Sequence, residues 1–255
     1  MPGDLFPADW LVTFEYEETV LGALKSGKES EVYLVARTAD GRTSLFAEKR
    51  FHSRDHRLFR NTYEYAGIWG NGNGHESRAM KKNTRFGQEH RHGRWIVNEW
   101  TNLVHLYDAG VTVPPPVELL EEGGGYRMAF IGDGLVAAPR LEAVRLDRDT
   151  AARVWDELVE DIARMLAAER VHGDLSAYNV LWWRDRAVLI DFSQTVEIVT
   201  HPAARDLLVR DITALGAYFK RRGVAVDVDA VLARIGADDR LFTHQALRMP
   251  PPRRV

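Results

Sequence analysis

Val171-His-Gly-Asp-Leu-Ser-Ala-Tyr-Asn-Val-Leu181, followed closely by Ala187-Val-Leu-Ile-Asp-Phe192, carries the residues from which the rest of this chain can be read. The first stretch sets Asp174 and Asn179 five residues apart, in a loop between a helical pattern and an apolar strand. The second presents Asp191 at the end of another apolar strand. One carboxylate can orient or deprotonate a hydroxyl, while an asparagine and a second aspartate can hold magnesium on phosphate oxygens. Phosphoryl transfer from ATP needs that set of groups. Any one of them alone would suit a turn cap. Order, spacing and flanking strands together select the transfer chemistry. His172 reads as an architectural residue that fixes the loop by hydrogen bonds. His52, His56, His75, His90 and His92 lie in a polar region without metal-ligand spacing.

Upstream, Glu31-Val-Tyr-Leu-Val-Ala-Arg37 alternates as a strand does, Asp40-Gly41 supplies a hairpin turn, and Ser44-Leu-Phe-Ala-Glu-Lys49 reads as the returning strand. Lys49 at its end can pair with ATP phosphates. Glu99, bordering the apolar stripe of the next helix, can reach inward to hold that lysine. Gly22-Ala-Leu-Lys-Ser-Gly-Lys-Glu29 nearly spells a Walker loop, but Glu29 stands where the magnesium-binding hydroxyl is needed, and the segment leads into a strand rather than a helix. Ser26-Gly27-Lys28 is better read as a phosphate-covering turn between two strands, with plain turn glycines as the alternative.

From about residue 52 to residue 94 the pattern dissolves into Arg, His, Asn and Gly, including Gly70-Asn-Gly-Asn-Gly74, which predicts a mobile loop or insertion. Ile96, Trp100, Leu103, Val104 and Tyr107 then follow helical spacing from Trp95, and Val113-Pro-Pro-Pro-Val117 is an extended connector. Tyr126 to Ile131 resembles a buried strand ending at a glycine-rich break, Gly132-Asp-Gly134, the candidate hinge. A helix over about Thr150 to Glu169 carries Val154, Leu158, Ile162, Met165 and Leu166. Another near Ala203 to Arg221 buries Leu208, Ile212, Leu215 and Phe219, and Met249 to Val255 is a loose tail. The tryptophans at 95, 100, 155, 182 and 183 are read as packing residues. A β-rich first half and a helical second half predict an α+β, two-lobed, protein-kinase-like fold with a cleft between the lobes. The N-lobe would run over residues 1–131 and the catalytic C-lobe over residues 132–255.

Bulk composition agrees with this. The 255 residues are 45% hydrophobic and 28% charged, enough for two lobes around buried cores. A formal charge of −3 argues against a generic polyanion binder, and no direct sequence-specific nucleic-acid binding is expected. No stretch has the length of a bilayer-spanning helix, and the start lacks a secretory signal pattern, so no membrane partner and a cytoplasmic location are expected. The absence of cysteine removes disulfides and thiol chemistry.

Taken together these residues resemble the RIO family of atypical serine/threonine protein kinases, from about Val20 to Phe219. The matching pieces are Ser26-Gly-Lys-Glu-Ser-Glu-Val-Tyr33, Asn98-Glu-Trp-Thr-Asn-Leu103, Ala109-Gly-Val-Thr-Val-Pro114, Met128-Ala-Phe-Ile-Gly132 and Ala138-Pro-Arg-Leu141. They continue in His172-Gly-Asp-Leu-Ser-Ala-Tyr-Asn179, Ile190-Asp-Phe-Ser-Gln194 and His201-Pro202. The resemblance implies a compact kinase without the usual activation segment, using ATP with Mg2+, or Mn2+ in its place. It implies Asp174 as the catalytic aspartate, Asn179 and Asp191 as metal ligands and Lys49 as the ATP lysine. Met128 would line the adenine pocket, with Ile131 also among the nucleotide-binding residues, and residues 52–94 would be the family's flexible loop. Ala177 stands where the family usually has Glu, Lys25-Ser26 where a Ser-Thr pair is common, and Ser176 where ordinary kinases often carry Lys.

Three activities compete for these residues. The leading one is transfer of the γ-phosphate to a protein serine, the enzyme itself included. The second is an ATP-hydrolysing switch that acts on a ribosomal precursor, with Asp191 transiently phosphorylated. The third is a small-molecule kinase of the aminoglycoside or choline kinase type, which shares the His-Gly-Asp and Ile-Asp-Phe motifs but usually adds a helical substrate-binding subdomain.

Overall fold

The computed structural model describes residues 15–27, 30–52, 85–120, 124–237 and 241–242, the side chains of residues 85–96 excepted. The chain divides into two compact units. The first comprises Met1–Val104 and Pro114–Ala137, and the second comprises His105–Val113 and Ala138–Val255.

The first unit is built on a five-stranded antiparallel sheet. Its strands are β1 (Glu17–Ser26), β2 (Ser30–Ala39), β3 (Arg42–Phe51), β4 (Pro116–Leu119) and β5 (Gly125–Ala129), in the order β1-β2-β3-β5-β4. The β2–β3 hairpin turns at Asp40 and Gly41, whose φ angles of 51° and 73° are those of a two-residue turn that matches the twist of the strands. That turn sets the register, Val35 opposite Phe46 and Val32 opposite Lys49. Alternation then sends Val35, Phe46, Ala129 and Val117 into one buried cluster, with Tyr33 packed on it.

The same face carries charge. Arg37, only 3% exposed, donates to Glu18 and Glu118, each at 2.7 Å, and its guanidinium lies 4.0 Å from the Tyr16 ring centroid. Arg127 donates to Glu48, Glu18 and Glu118. These pairs tie all five strands together by side chains. The glycine-rich break beyond β5 forms a small hairpin, β6 (Gly132–Asp133) with β7 (Val136–Ala137).

Helix α1 (Arg85–Asp108) begins ten residues before the start expected at Trp95. Gly87, Gly93 and a run of charged residues hide the apolar period there. Extending an existing helix is nonetheless much less costly than nucleating one, so the packed C-terminal turns carry the polar ones. The rest of the expected loop falls on residues 53–84, outside the described residues, as do Lys28, the side chain of Trp95 and the tail at Met249. Among residues 97–108 the buried stripe of α1 also differs from expectation: Glu99, Asn102, Leu103 and Leu106 are buried, and Trp100, Val104 and Tyr107 are half-buried.

In the second unit, α2 (Arg148–Ala167) starts at Asp147, whose Oδ1 accepts from Asp149 N and Thr150 N at 3.0 and 2.9 Å. Its expected stripe, Val154, Leu158, Ile162, Met165 and Leu166, is buried. Helix α3 (Ala204–Lys220) buries Leu208, Ile212, Leu215 and Phe219, and the Phe219 ring lies 5.2 Å from that of Trp155. Short strands β8 (Arg170–Val171), β9 (Val180–Trp183), β10 (Arg186–Leu189) and β11 (Val196–Glu197) pair as β8–β11 and β9–β10, and α4 (Val228–Arg234) follows. No described helix is long and apolar enough to cross a membrane.

The β-rich first part and helical second part are the α+β, kinase-like arrangement expected. Phe46, 0% exposed at the centre of the sheet cluster, should lose about 3–5 kcal/mol of stability on Phe46→Ala. Urea unfolding would show this as a lower midpoint with unchanged slope, and a loss below about 1 kcal/mol would contradict the assigned core.

Candidate functional site

In the first unit, period-two alternation puts Ala47 and Lys49 of β3 on the face opposite Phe46, and their cross-strand partners on β5 are Met128 and Tyr126. Lys49 is 7% exposed and Glu99 0%. Lys49 Nζ donates to Glu99 Oε1 at 2.5 Å, and the Tyr126 hydroxyl donates to the same oxygen at 3.1 Å. The Tyr126 ring stands 5.7 Å from Trp100 and 6.2 Å from Phe51, so aromatic rings wall the pair. Gly125 is required here: a Cβ on it would lie 2.0 Å from the Lys49 carbonyl oxygen. The Ser26-Gly27 turn is closed by Gly27 N donating to Ser30 O at 2.9 Å, and Ser26 Oγ donates to Glu31 at 3.2 Å. Met128 is half-buried beside the lysine strand, and Ile131 is 4% exposed.

In the second unit, strand pairing joins the two sequence motifs. Val180 opposes Leu189 across β9 and β10, and Ile190 N donates to Asn179 O at 3.0 Å, so Asn179 and Asp191 enter adjacent strands side by side. The β8–β11 pairing, Val171 with Val196, closes the loop from the other end. Asn179 Nδ2 donates to Asp174 O at 2.8 Å and to Asp174 Oδ2 at 3.0 Å. Asp174 is exposed although its neighbours Gly173 and Leu175 are buried. Asp191 adopts a left-handed φ of 72°, a conformation a non-glycine residue holds only where its surroundings enforce it, and Ser193 Oγ donates to its Oδ1 at 3.0 Å.

His172 is architectural. Its Nε2 lies 3.3 Å from Ile190 O and its ring packs 5.4 Å from Phe192. Burial lowers its pKa, against the pull of Asp191 and Asp174.

A clamp from α3 holds this loop. Asp211, 2% exposed, accepts from Gly173 N at 2.8 Å and from Leu175 N at 3.1 Å, and Arg210 donates to Gly173 O. Gly173 has φ 79°, and a Cβ there would lie 2.2 Å from Gln194 O, so only glycine fits where the loop passes the turn after Asp191. Burial raises the Asp211 carboxyl from 3.8 to about 6, opposed by the two amides and Arg210 and assisted by the charge of Asp174.

The donor set fits a magnesium ion. With its amide nitrogen committed to Asp174, Asn179 leaves Oδ1 buried and without a hydrogen-bond partner. A hard carbonyl oxygen on Asn179 and the carboxylate of Asp191, the residue after the one that bonds the Asn179 backbone, match the one or two protein oxygens that magnesium takes alongside phosphate oxygens and water. A buried acceptor of this kind costs about 1–3 kcal/mol unless something occupies it.

The expected residues therefore gather as two sets, Lys49, Glu99 and Met128 in the first unit and Asp174, Asn179 and Asp191 in the second. Sequence reasoning missed Asp211, Tyr126 and Ser193. Asp211 had a legible signal: an acid at the core-facing spacing of Leu208, Ile212 and Leu215. Asp161 shows the same signal in α2, where it accepts from Thr112 N at 3.1 Å and is itself 2% exposed.

Residues 32–231 match the family described as RIO domain. The chain is similar to the RIO-type serine/threonine-protein kinase Rio1 of Thermoplasma acidophilum, with 34% identity over 54% of this chain and 69% of that protein. It is also similar to Rio1 of Haloferax volcanii, at 32% identity over 57% of this chain and 48% of that protein. Serine/threonine-protein kinase RIO3 of Homo sapiens is 36% identical over 51% of this chain, a match that spans only 25% of the human protein.

Because the folded pKa of Asp211 lies above the unfolded 3.8, its contribution to stability is full below that value and is lost as pH rises through about 6. Unfolding free energies of wild type and Asp211→Asn, compared from pH 4 to 7, should converge or cross by on the order of 2–3 kcal/mol, the wild type losing ground as pH rises. A difference that stays flat across that window would contradict the assignment.

Proposed function

The chain belongs to the RIO domain family, and we propose that it is an ATP-dependent protein kinase that passes the γ-phosphate to a serine hydroxyl, on another protein or on itself. The observation that carries this reading is the Asp174–Asn179–Asp191 arrangement. There, an exposed carboxylate sits beside an asparagine whose amide it engages and whose carbonyl oxygen has no hydrogen-bond partner.

In this reading Asp174 accepts a hydrogen bond from the serine hydroxyl and aims it at the γ-phosphorus. The serine oxygen bonds to phosphorus, the bond from phosphorus to the bridging oxygen of ADP breaks, and the hydroxyl proton passes to the Asp174 carboxylate. Asn179 and Asp191 would hold the magnesium, whose chemistry when bound is to neutralise phosphate charge. Manganese suits the same oxygen donors. Glu99, fixed by Tyr126, keeps the Lys49 ammonium extended toward phosphate oxygens. By the family resemblance, Ser26 and Lys28 would serve the phosphates, and Met128 and Ile131 would border the adenine. Ser176 lacks the cation that ordinary kinases often place there, so Lys49 and a bound metal would have to supply more of the neutralising charge.

Asp174→Asn should leave Mg-ATP affinity within several fold of wild type while turnover falls by about a hundredfold or more. Near-wild-type phosphorylation by this variant would remove Asp174 from the chemistry. Asp191→Ala should behave differently, abolishing the magnesium dependence of ATP affinity along with turnover. Calorimetric ATP titrations with and without magnesium read that dependence, and magnesium-enhanced binding retained in the variant would refute the metal role.

A further inference from the structure

Arg140 lies between Pro139 and a single 3-10 turn, Leu141–Ala143. Its Nη1 donates to the carbonyl oxygen of Tyr178, its guanidinium carbon stands 3.8 Å from the Tyr178 ring centroid, and its backbone bridges to Leu181. Tyr178 precedes Asn179 directly, follows Asp174 by four residues and is 46% exposed. A half-buried arginine is thus seated on an exposed aromatic ring within the catalytic loop itself.

Among the described residues, two arginines of the second unit stack on a tyrosine without ending on a carboxylate: Arg222, whose Nη1 and Nη2 are taken by the Tyr218 and Val144 carbonyls, and Arg140, which is the one beside the Asp174 loop. Arg37, Arg127, Arg164 and Arg170 each end on a carboxylate within 3.0 Å. Arg140 meets no carboxylate among the described residues; its contacts are the Tyr178 carbonyl and ring and the backbone bridge to Leu181. A guanidinium has five N–H donors in a planar fork, and most of this one's are left over. Stacking on the ring fixes the plane in which they point, which favours paired recognition of a carboxylate.

Position supplies the second argument. Asn179 Nδ2 is 2.8 Å from Asp174 O, and Tyr178 is the adjoining residue, so at about 3.8 Å per Cα step the guanidinium lies on the order of 10 Å from Asp174. An extended peptide, rising about 3.3 Å per residue, covers that distance in two or three residues. We propose that Arg140, seated on Tyr178, is a specificity subsite for an acidic side chain two or three residues from the serine to be phosphorylated. The inference rests on the protein-kinase reading.

The test uses the full chain with Mg-ATP and a set of peptides. Each peptide holds one serine in an alanine-glycine background, with a single Glu or Lys at each position up to three residues on either side. The ratio of kcat/KM for the Glu peptide to that for the Lys peptide is the readout, because any general loss of activity from disturbing the loop cancels in it. Wild type should prefer Glu by about fivefold or more at position two or three on one side, a preference that shrinks as salt is raised to about 0.5 M. Arg140→Gln should flatten the ratio and Arg140→Glu should invert it.

A wild-type ratio near one at every position, or a preference that survives Arg140→Glu, overturns the inference. Phosphate transfer to no peptide and to no serine of the protein itself, with ATP turnover intact, would instead sink the protein-kinase reading and this inference with it.

Discussion

The buried Asp211 carboxylate, accepting the amides of Gly173 and Leu175, is the constraint on which the Asp174 loop depends. A carboxylate out of water is costly, and burial pushes its pKa up to about 6. It is retained because the two amides on either side of Asp174 need an acceptor. Fixing the backbone at residues 173 and 175 leaves Asp174 between them with one way to go, outward, where it is exposed. Arg210, the residue before Asp211, bonds the Gly173 carbonyl and so satisfies the peptide unit between those two amides. An anchor in a long packed helix therefore positions a short loop that has little regular structure of its own.

Strand pairing then brings the remaining groups to that loop. Asn179 and Asp191 are twelve residues apart in sequence but adjacent in space, because the β9–β10 hairpin sets Val180 against Leu189. The left-handed backbone of Asp191 is held on one side by the hairpin and on the other by Val196 pairing with Val171. Ser193 bonds one oxygen of Asp191, while Asn179 commits its amide nitrogen to Asp174 and keeps its carbonyl oxygen without a partner. Strain and an unsatisfied acceptor sit together, as expected where a site is organised in advance for a ligand.

The first unit solves a different electrostatic problem. Lys49 and Glu99 are both buried, and an ion pair out of water holds only when its geometry is good and its spare oxygens and protons find partners. The Tyr126 hydroxyl, from the residue directly opposite Lys49 on the next strand, adds a second donor to the Glu99 oxygen that Lys49 holds. The opposite face of the same sheet carries the Arg37 and Arg127 networks together with the Phe46 cluster. Each strand thus serves two unlike environments through the alternation of its side chains.

Alternating and helical periodicities, the Asp40-Gly41 turn and the spacing of the Asp174 and Asp191 motifs are local, and they were legible in the sequence, as was the pairing of Lys49 with Glu99 from residue order. The start of α1 at Arg85 was not legible, because polar residues carried by a helix nucleated elsewhere leave no apolar period. Nor was the rotation of its buried face onto Glu99, Asn102 and Leu106. Asp211, Tyr126, Ser193 and Arg140 share one reason for escaping notice: each acts through a partner 2 to 38 residues away in sequence, at a distance that only packing sets. Sequence by itself determined which chemical groups this protein possesses and which local elements carry them, since side-chain identity and short-range backbone preference are properties of the chain. The tertiary structure alone decided which of those groups are buried, which amide meets which carboxylate and which oxygen is left without a partner, because hydrogen bonds and desolvation depend on distances that appear only once the elements pack.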